Sequence, residues 1–375
     1  MLRFHSLRVA EIRPDADDAV AISLQGADDL KDAYRGLAGQ HVVLRTDIDG
    51  AEARRTYSLV SEPGAWPLRI VVRVHPSGAM SKHLAEKLRV GDHLDVLPPN
   101  GSLTPRFGNA QSRTYVAFAS GCGITPVLSV ARAVLAADTR NRFILFYGNT
   151  DSARAMCLEE LLALKDCHLD RLALHFVMSR EPQEVDLYNG RLDAQRIKKV
   201  AQTIFEPRAV AEYFVCGPGT MIEDVTTALR ELGVESGRIH SEHFTVEAET
   251  VPPELSASQG PSVRAASTGS QPPAAVRSVA ADQCEVTVIM DGRRRSFTMR
   301  KNDESVLDAA ARNGLELPFS CRAGVCSTCR TKVVRGEVAM DQNYALEEWE
   351  LEAGYVLACQ SRVKSPVLEL DYDEK

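Results

Sequence analysis

The chain has 375 residues, and its 44 lysines and arginines against 51 aspartates and glutamates leave a formal net charge of −7. This length is too great for one ordinary hydrophobic core and predicts two or three domains. The acidic balance, without any basic tract, argues against nucleic acid as a partner. No run of about 18 apolar residues and no apolar leader occurs, so we expect no membrane association. The nine cysteines show no disulfide pattern, and we therefore expect a cytoplasmic protein.

Residues 1–110 predict an antiparallel β-barrel domain. Short alternating strands are separated by glycine and proline, and helical periodicity is nearly absent except after Ser81. The predicted strands cover residues 4–13, 20–24, 41–45, 56–60, 68–74 and 93–97.

Residues 111–246 change to an alternation of strands and helices. Such an alternation predicts an α/β domain, in which a parallel sheet carries helices on both faces. The predicted strands cover 114–119, 143–147, 172–178 and 213–215, and the predicted helices cover 126–137, 156–165, 193–203 and 219–232.

Residues 247–281 are rich in Ser, Gly, Pro, Gln and Ala and predict a flexible linker, because they contain too little apolar surface to offset the entropy of ordering. The linker would let the last domain move between two partners, and an insertion without consequence is the alternative. Residues 282–375 predict a third, α+β domain. It begins with a hairpin of strands 285–290 and 294–300, followed by one helix over 306–313.

Four cysteines in the third domain predict a metal centre. Cys321, Cys326 and Cys329 follow the spacing C-x4-C-x2-C, and Cys359 lies thirty residues further on. This spacing is that of plant-type [2Fe–2S] centres. A structural zinc site is the alternative, but such sites usually combine two C-x2-C pairs.

Two glycine turns in the α/β region predict a nucleotide site. One strand runs into Gly121, Gly123, Thr125 and Pro126, and another runs into 216–219. Unsatisfied N–H groups at a helix start bind phosphate, and glycine allows close approach. Both turns lie at carboxyl ends of strands, where ligands of α/β sheets bind. A pair of ordinary tight turns is the alternative.

The barrel contains a candidate flavin site. Arg55, Tyr57 and Ser58 offer a cation, an aromatic ring and a hydroxyl at one strand end. The segment 77–81 combines a serine N-cap with a glycine turn and predicts a phosphate site. Its candidate residues are Gly78, Met80 and Ser81.

These motifs resemble those of the ferredoxin–NADP reductase family over residues 1–245. The resemblance implies that Arg55 binds the FAD diphosphate, that Tyr57 packs on the isoalloxazine and that Ser58 hydrogen-bonds near its N5 atom. It places Cys216 beside the nicotinamide C4 atom, with Gly217 in the same turn. Ser58 and Cys216 are thus the candidate catalytic residues. The resemblance also implies that Phe244 covers the flavin, although completing the domain core is an alternative role for this ring.

The strand ending at Ser179-Arg180 predicts NADPH as the electron donor. An arginine beside a hydroxyl at this edge suits a dianionic 2′-phosphate, whereas an acidic residue would suit a 2′-hydroxyl. The same pair has this role in the resembled family. Thr150 stands where many relatives have arginine, and this departure weakens the nucleotide assignment.

The order of the three domains resembles the subgroup of reductases that serve phenylacetyl-CoA epoxidase, with a fused plant-type ferredoxin domain of β-grasp fold. The resemblance implies electron transfer from NADPH through FAD and the [2Fe–2S] cluster to a multi-subunit diiron oxygenase of phenylacetate degradation. Other interpretations are a reductase of another oxygenase or hydroxylase, a non-catalytic redox-sensing carrier, and an enzyme that reduces small acceptors such as quinones.

Overall fold

The computed structural model describes residues 3–107, 113–244, 261–264, 283–301 and 304–374. The chain divides into two compact units, Leu2–Glu247 and Ala248–Lys375. Within the described ranges, no helix is both long enough and apolar enough to cross a membrane.

The first part of the Leu2–Glu247 unit is a curled antiparallel sheet. Its strands are β1 (His5–Pro14), β2 (Ala19–Gln25), β3 (His41–Ile48), β4 (Ala51–Ser58), β5 (Leu68–Arg73) and β6 (His93–Val96). They follow the order β4-β3-β6-β1-β2-β5, and a bridge between Leu59 and Ile70 brings the two ends of the sheet together. The predicted antiparallel barrel is confirmed as a curled antiparallel sheet, in which alternate apolar residues such as Leu7, Val9 and Leu24 face a common core.

The barrel also contains one short helix next to β4. Helix α1 (Ala79–Lys82) continues into a wider turn over His83–Lys87. Met80 and Leu84 are fully buried in the barrel core, and they fix this helix against the sheet.

The second part of this unit is a five-stranded parallel sheet with helices on both faces. Its strands are β7 (Thr114–Ser120), β8 (Arg142–Asn149), β9 (Leu172–Met178), β10 (Val210–Gly217) and β11 (Ile239–His243), and its helices are α2 (Ile124–Ala137), α3 (Leu158–Cys167), α4 (Ala194–Thr203) and α5 (Gly219–Glu231). The strand order is β11-β10-β7-β8-β9. The predicted α/β domain is confirmed, although the short, polar strand β11 was not predicted.

The strand order determines where a ligand can bind. The chain leaves β7 toward β8 on one side and returns to β10 on the other, so the order reverses at β7. The crevice outside the carboxyl ends of β7 and β10 is therefore the switch point at which open α/β sheets bind ligands.

The barrel and the parallel sheet pack through a shared core. Val60 and Val71 of the barrel join Val127 and Val130 of α2 in one buried cluster. At its edge, the Glu160 carboxylate accepts hydrogen bonds from the guanidinium groups of Arg69 and Arg132.

The Ala248–Lys375 unit is an α+β domain. Its strands are β12 (Ser262–Arg264), β13 (Gln283–Met290), β14 (Arg293–Arg300), β15 (Arg330–Arg335), β16 (Glu337–Met340), β17 (Tyr355–Leu357), β18 (Ser361–Val363) and β19 (Val367–Asp371), and its helices are α6 (Val306–Arg312) and α7 (Glu348–Glu352). One sheet has the order β14-β13-β19-β15-β17, and a small sheet has the order β12-β16-β18. The predicted hairpin turns at Asp291-Gly292, where positive φ angles of 56° and 67° match the twist of the two strands.

Strand β12 corrects one part of the linker prediction. Residues 262–264 lie within the predicted flexible segment 247–281, yet they pair antiparallel with β16. Val263 is 5% exposed in the core of the domain, so this one β-branched residue provides the apolar contact that the surrounding sequence lacks. The rest of the predicted linker lies outside the described residues, and the domain boundaries stay predictions.

Candidate functional site

Three residues of the cysteine loop in the second unit have a left-handed backbone conformation. Arg322, Gly324 and Ser327 have φ angles of 56°, 75° and 50°. A Cβ atom at Gly324 would lie 3.0 Å from the Gln342 carbonyl oxygen, so glycine is needed both for its φ angle and for space. The turned backbone points N–H groups at sulfur: Ala323 and Val325 donate to Cys321 Sγ at 3.4 and 3.5 Å.

Strand pairing brings the fourth cysteine to this loop. Strands β15 and β17 are antiparallel, and the Ala358 N–H donates to the Cys329 carbonyl at 3.1 Å. Cys359 follows directly and is 8% exposed, and the Gln360 side chain donates to its Sγ atom at 3.6 Å. Cys359, which follows Cys329 by thirty residues in sequence, is therefore its neighbour in the fold.

The four thiols form two pairs. The hydrogen bond from the Cys326 thiol, reinforced by the backbone N–H groups, lowers the pKa of Cys321 to about 6. The hydrogen bond from Cys329 likewise lowers the pKa of Cys359, while it raises that of Cys329.

This arrangement fits a [2Fe–2S] cluster, in which each iron takes two protein ligands and thiolates are required. Across the described parts of the chain, no group of three or more His, Cys, Asp or Glu side chains is placed to hold a single metal ion. The grouping of the thiols, two and two, matches the two irons of such a cluster.

The two predicted nucleotide turns are in close backbone contact at the crevice. A Cβ atom at Gly123 would lie 2.0 Å from the Cys216 carbonyl oxygen, which no side chain can accommodate. The Thr125 hydroxyl donates to the Cys122 carbonyl at 2.9 Å, and Pro126 lies in the first turn of α2. Gly217, at the end of β10, approaches Ser120 across the same crevice. The structure thus brings together the candidates Gly121 to Pro126 and Cys216-Gly217.

Cys216 lies at the carboxyl end of β10 and is fully buried. Burial raises the pKa of its thiol well above the usual value, and the Glu242 carboxylate adds to the shift. The thiol is therefore protonated at neutral pH and poorly suited to act as a nucleophile.

The predicted flavin residues lie at the end of β4. Arg55 and Tyr57 share one face of the strand, and Ser58 lies on the other. Ser58 is 3% exposed, and its hydroxyl has no hydrogen-bond partner within the described residues. A buried hydroxyl without a partner is destabilising and marks a place where a ligand supplies one. This observation fits a flavin beside Ser58.

The predicted phosphate site at residues 77–81 is arranged differently from the expectation. Gly78, not a serine, is the N-cap of α1, and no side chain caps this helix. The Ser81 hydroxyl closes the turn, since it accepts from the His75 N–H and donates to the Gly78 carbonyl, both at 3.1 Å. The Met80 side chain belongs to the barrel core. Met80 and Ser81 would therefore contribute to a phosphate site through their backbone rather than their side chains.

His41 and Glu242 were missed by sequence reasoning. His41 lies directly opposite Ser58 in the sheet, and Glu242 lies directly beside Cys216. The His41 Nδ1 atom and the Glu242 Oε1 atom are 3.2 Å apart, with side-chain exposures of 2% and 12%. A buried hydrogen bond between an imidazole and a carboxylate thus lies between the strand neighbours of the two candidate catalytic residues, and only long-range pairing of β3 with β4 and of β10 with β11 creates it.

The remaining candidates lie around the crevice. Ser179 and Arg180 are exposed after β9, and their N–H groups donate to the carbonyls of Asn149 and Thr150 at 2.9 and 2.8 Å. The buried Thr150 hydroxyl has no partner within the described part of the chain. Phe244 packs on the core shared by the barrel and α2, as its alternative role requires, and its role on the flavin stays a prediction.

Comparisons with known proteins agree with this geometry. Residues 27–104 match an oxidoreductase FAD-binding domain, residues 118–227 an oxidoreductase NAD-binding domain and residues 288–364 a 2Fe-2S iron-sulfur cluster binding domain. The last match includes all four cysteines of the predicted cluster. The chain is 36% identical to one of the subunits of 1,2-phenylacetyl-CoA epoxidase of Escherichia coli (strain K12), over 100% of this chain and 99% of that protein.

The chain belongs to the oxygenase reductase family. It is also 29% identical to the ferredoxin reductase component of 3-ketosteroid-9-alpha-monooxygenase of Rhodococcus rhodochrous, over 98% of this chain and 96% of that protein. Its fold is similar to that of phthalate dioxygenase reductase, with a TM-score of 0.56 at 22% identity and 98% coverage of both chains. The protein is therefore an electron-transfer reductase of a multicomponent oxygenase, with FAD-binding, NAD-binding and 2Fe-2S domains.

Replacing Gly123 with alanine should damage the nucleotide turn. The new Cβ atom would collide with the Cys216 carbonyl, and we expect a loss of about 1–3 kcal/mol in unfolding free energy, together with about tenfold weaker binding of the nicotinamide nucleotide, or about 1.4 kcal/mol. Denaturant unfolding and calorimetric titration measure the two effects. Gly237→Ala is the matched control, because a Cβ atom there meets nothing within 4 Å and the residue lies outside both nucleotide turns. Equal behaviour of the two variants would contradict this account.

Replacing Cys321 with serine should abolish the visible iron–sulfur absorption and leave FAD bound, because cluster and flavin belong to separate compact units. Iron analysis and the absorption spectrum test this expectation. Cys284→Ala, at a fully buried cysteine outside the set, should retain the cluster. Stoichiometric zinc without iron in the wild-type protein would refute the assignment.

Proposed function

We propose that the protein transfers electrons from NADPH, through FAD and a [2Fe–2S] cluster held by Cys321, Cys326, Cys329 and Cys359, to the multi-subunit diiron phenylacetyl-CoA epoxidase. The observation that carries this proposal is the full-length similarity to a component of that enzyme in Escherichia coli. The three domains supply the parts that such a path needs, since a nicotinamide donates two electrons as hydride and a cluster accepts one at a time.

The barrel residues bind and orient the flavin in this proposal. Bound FAD supplies the conversion between two-electron and one-electron transfer. Arg55 binds the diphosphate, Tyr57 packs on the ring system and the Ser58 hydroxyl donates to the flavin edge. The unpartnered state of that buried hydroxyl within the described residues supports its role.

The crevice residues orient the nicotinamide. The turns at Gly121–Pro126 and Cys216-Gly217 bring backbone N–H groups close to the nucleotide, and the neutral Cys216 thiol packs beside the reacting carbon. The hydrogen bond with His41 holds the Glu242 carboxylate next to that thiol. Such fixed contacts promote hydride transfer through orientation, without a nucleophile.

Nucleotide preference depends on Ser179 and Arg180. Their exposure after β9, at the carboxyl edge of the sheet, leaves the guanidinium accessible to a 2′-phosphate. Thr150 adds a hydroxyl beside the Arg180 backbone, where it would serve as a second polar contact.

Replacing Arg180 with alanine should therefore raise the KM for NADPH and leave that for NADH nearly unchanged. Loss of one charge-assisted hydrogen bond predicts an effect of about 1–3 kcal/mol. Steady-state ferricyanide reduction with each nucleotide measures it. Arg140→Ala is the control, because this exposed arginine precedes β8 at the opposite end of the sheet. An equal loss with both nucleotides would show that Arg180 does not bind the 2′-phosphate.

The identity of the acceptor is tested by reconstitution. The purified reductase should support NADPH-dependent turnover by the oxygenase components of phenylacetyl-CoA epoxidase, and much less by those of 3-ketosteroid-9-alpha-monooxygenase. Product formation per NADPH consumed is the measurement. Efficient coupling to the steroid enzyme alone would replace the proposed acceptor, and reduction of ferricyanide without coupling to either would favour small acceptors.

A further inference from the structure

Two buried hydroxyls of the second unit have no hydrogen-bond partner within its described residues. They are Thr331 Oγ1 and Tyr372 Oη. Thr331 is 1% exposed, and the Tyr372 ring packs on the hydrophobic core of the domain. Buried hydroxyls normally donate to an acceptor. An acceptor other than the described residues of this unit is therefore expected at this end of the core.

The strand register places both hydroxyls together. Lys332 pairs with Asp371 and Val333 pairs with Leu370, so the next position along β15 and β19 sets Thr331 opposite Tyr372. Side chains alternate along a strand, and Tyr372 consequently points to the same face as the fully buried Leu370. Thr331 and Tyr372 are thus neighbours on the core side of the sheet.

Two of the proposed cluster ligands lie at the same end of this face. Cys329 precedes Thr331 by two residues. Cys359 lies next to Cys329, because the N–H of the preceding residue, Ala358, donates to the Cys329 carbonyl. Both cysteines belong to the core on which Tyr372 packs. A phenol is ordinarily protonated at neutral pH, so the buried Tyr372 hydroxyl is available as a hydrogen-bond donor at this end of the core.

We propose that Tyr372 donates a hydrogen bond to a sulfur atom of the [2Fe–2S] cluster on the side of Cys329 and Cys359, and thereby raises the reduction potential of the cluster. Hydrogen bonds to the sulfur atoms are one of the factors that set the potential of such clusters, because they stabilise the additional negative charge of the reduced form. The inference rests on the proposed cysteine ligands and is independent of which oxygenase accepts the electron.

Tyr372 is, in this account, a tuning residue rather than a ligand. Its hydroxyl makes the cluster a better acceptor for an electron from the flavin. The backbone N–H of Tyr372 donates to the Ile289 carbonyl at 2.9 Å, which holds the end of β19 against β13 and keeps the ring in place. Removal of the oxygen alone should therefore leave the fold intact.

The test is the variant Tyr372→Phe in the full-length holoprotein. Spectroelectrochemical titration should give a three- to tenfold smaller equilibrium constant for one-electron reduction of the cluster, which corresponds to a potential about 30–60 mV more negative. Tyr355→Phe is the matched control. Tyr355 belongs to the same sheet, but its ring lies under Arg330 and Lys332, so the potential of this variant should equal that of the wild type.

A second readout separates a hydrogen bond from a packing effect. Deuterium exchange followed by electron–nuclear double resonance of the reduced cluster should show an exchangeable deuteron in the wild type and in Tyr355→Phe that is missing from Tyr372→Phe. An unchanged potential, or an unchanged deuteron signal, in Tyr372→Phe overturns the proposal.

If Tyr372→Phe fails to retain the cluster, 3-fluorotyrosine placed at position 372 decides the question. This side chain keeps the shape of the ring and is a stronger donor, so the potential should rise, and an unchanged potential again overturns the proposal. A failure of the cysteine assignment itself would appear differently, as a wild-type protein without the cluster spectrum.

Discussion

The contact between Gly123 and the Cys216 carbonyl is the constraint on which the nucleotide crevice depends. The turn after β7 approaches the end of β10 so closely that a methyl group at position 123 would lie 2.0 Å from a backbone oxygen. This contact brings the start of α2 and the Cys216 turn to the same point. The contact arises because β7 and β10 are neighbours in the parallel sheet, and it gives a nucleotide access to the backbone N–H groups of both turns.

Two buried hydroxyls without partners in the described residues lie beside predicted cofactor sites. They are Ser58 in the barrel and Tyr372 in the second unit. Proteins rarely bury hydroxyls without acceptors. The roles proposed for Ser58 and Tyr372 would give each hydroxyl a partner on its bound cofactor.

The two cofactor sites use different physical means. The flavin and nicotinamide region is assembled between two folded layers, and the buried pair of His41 and Glu242 crosses from one layer to the other. The cluster loop is local, because left-handed residues such as Arg322 and Gly324 curl three cysteines within nine positions. The first site therefore depends on how two layers orient the residues around a bound nucleotide. The second depends on how one loop places the cysteine ligands.

The sequence alone determined the fold class and most of the candidate site, because strand alternation, glycine turns and the cysteine spacing are local patterns that a one-dimensional chain displays directly. Only the tertiary structure decided which distant residues meet. The pair of His41 and Glu242 joins residues 201 positions apart, and the neighbourhood of Tyr372 and Cys329 arises from the register of β15 and β19. The structure also shows that the Ser81 hydroxyl donates to the Gly78 carbonyl of its own turn. It shows that Val263, within the predicted linker, packs in the core of the second unit. Strand register and burial depend on packing between segments that are far apart in the chain. Local sequence patterns therefore do not reveal them.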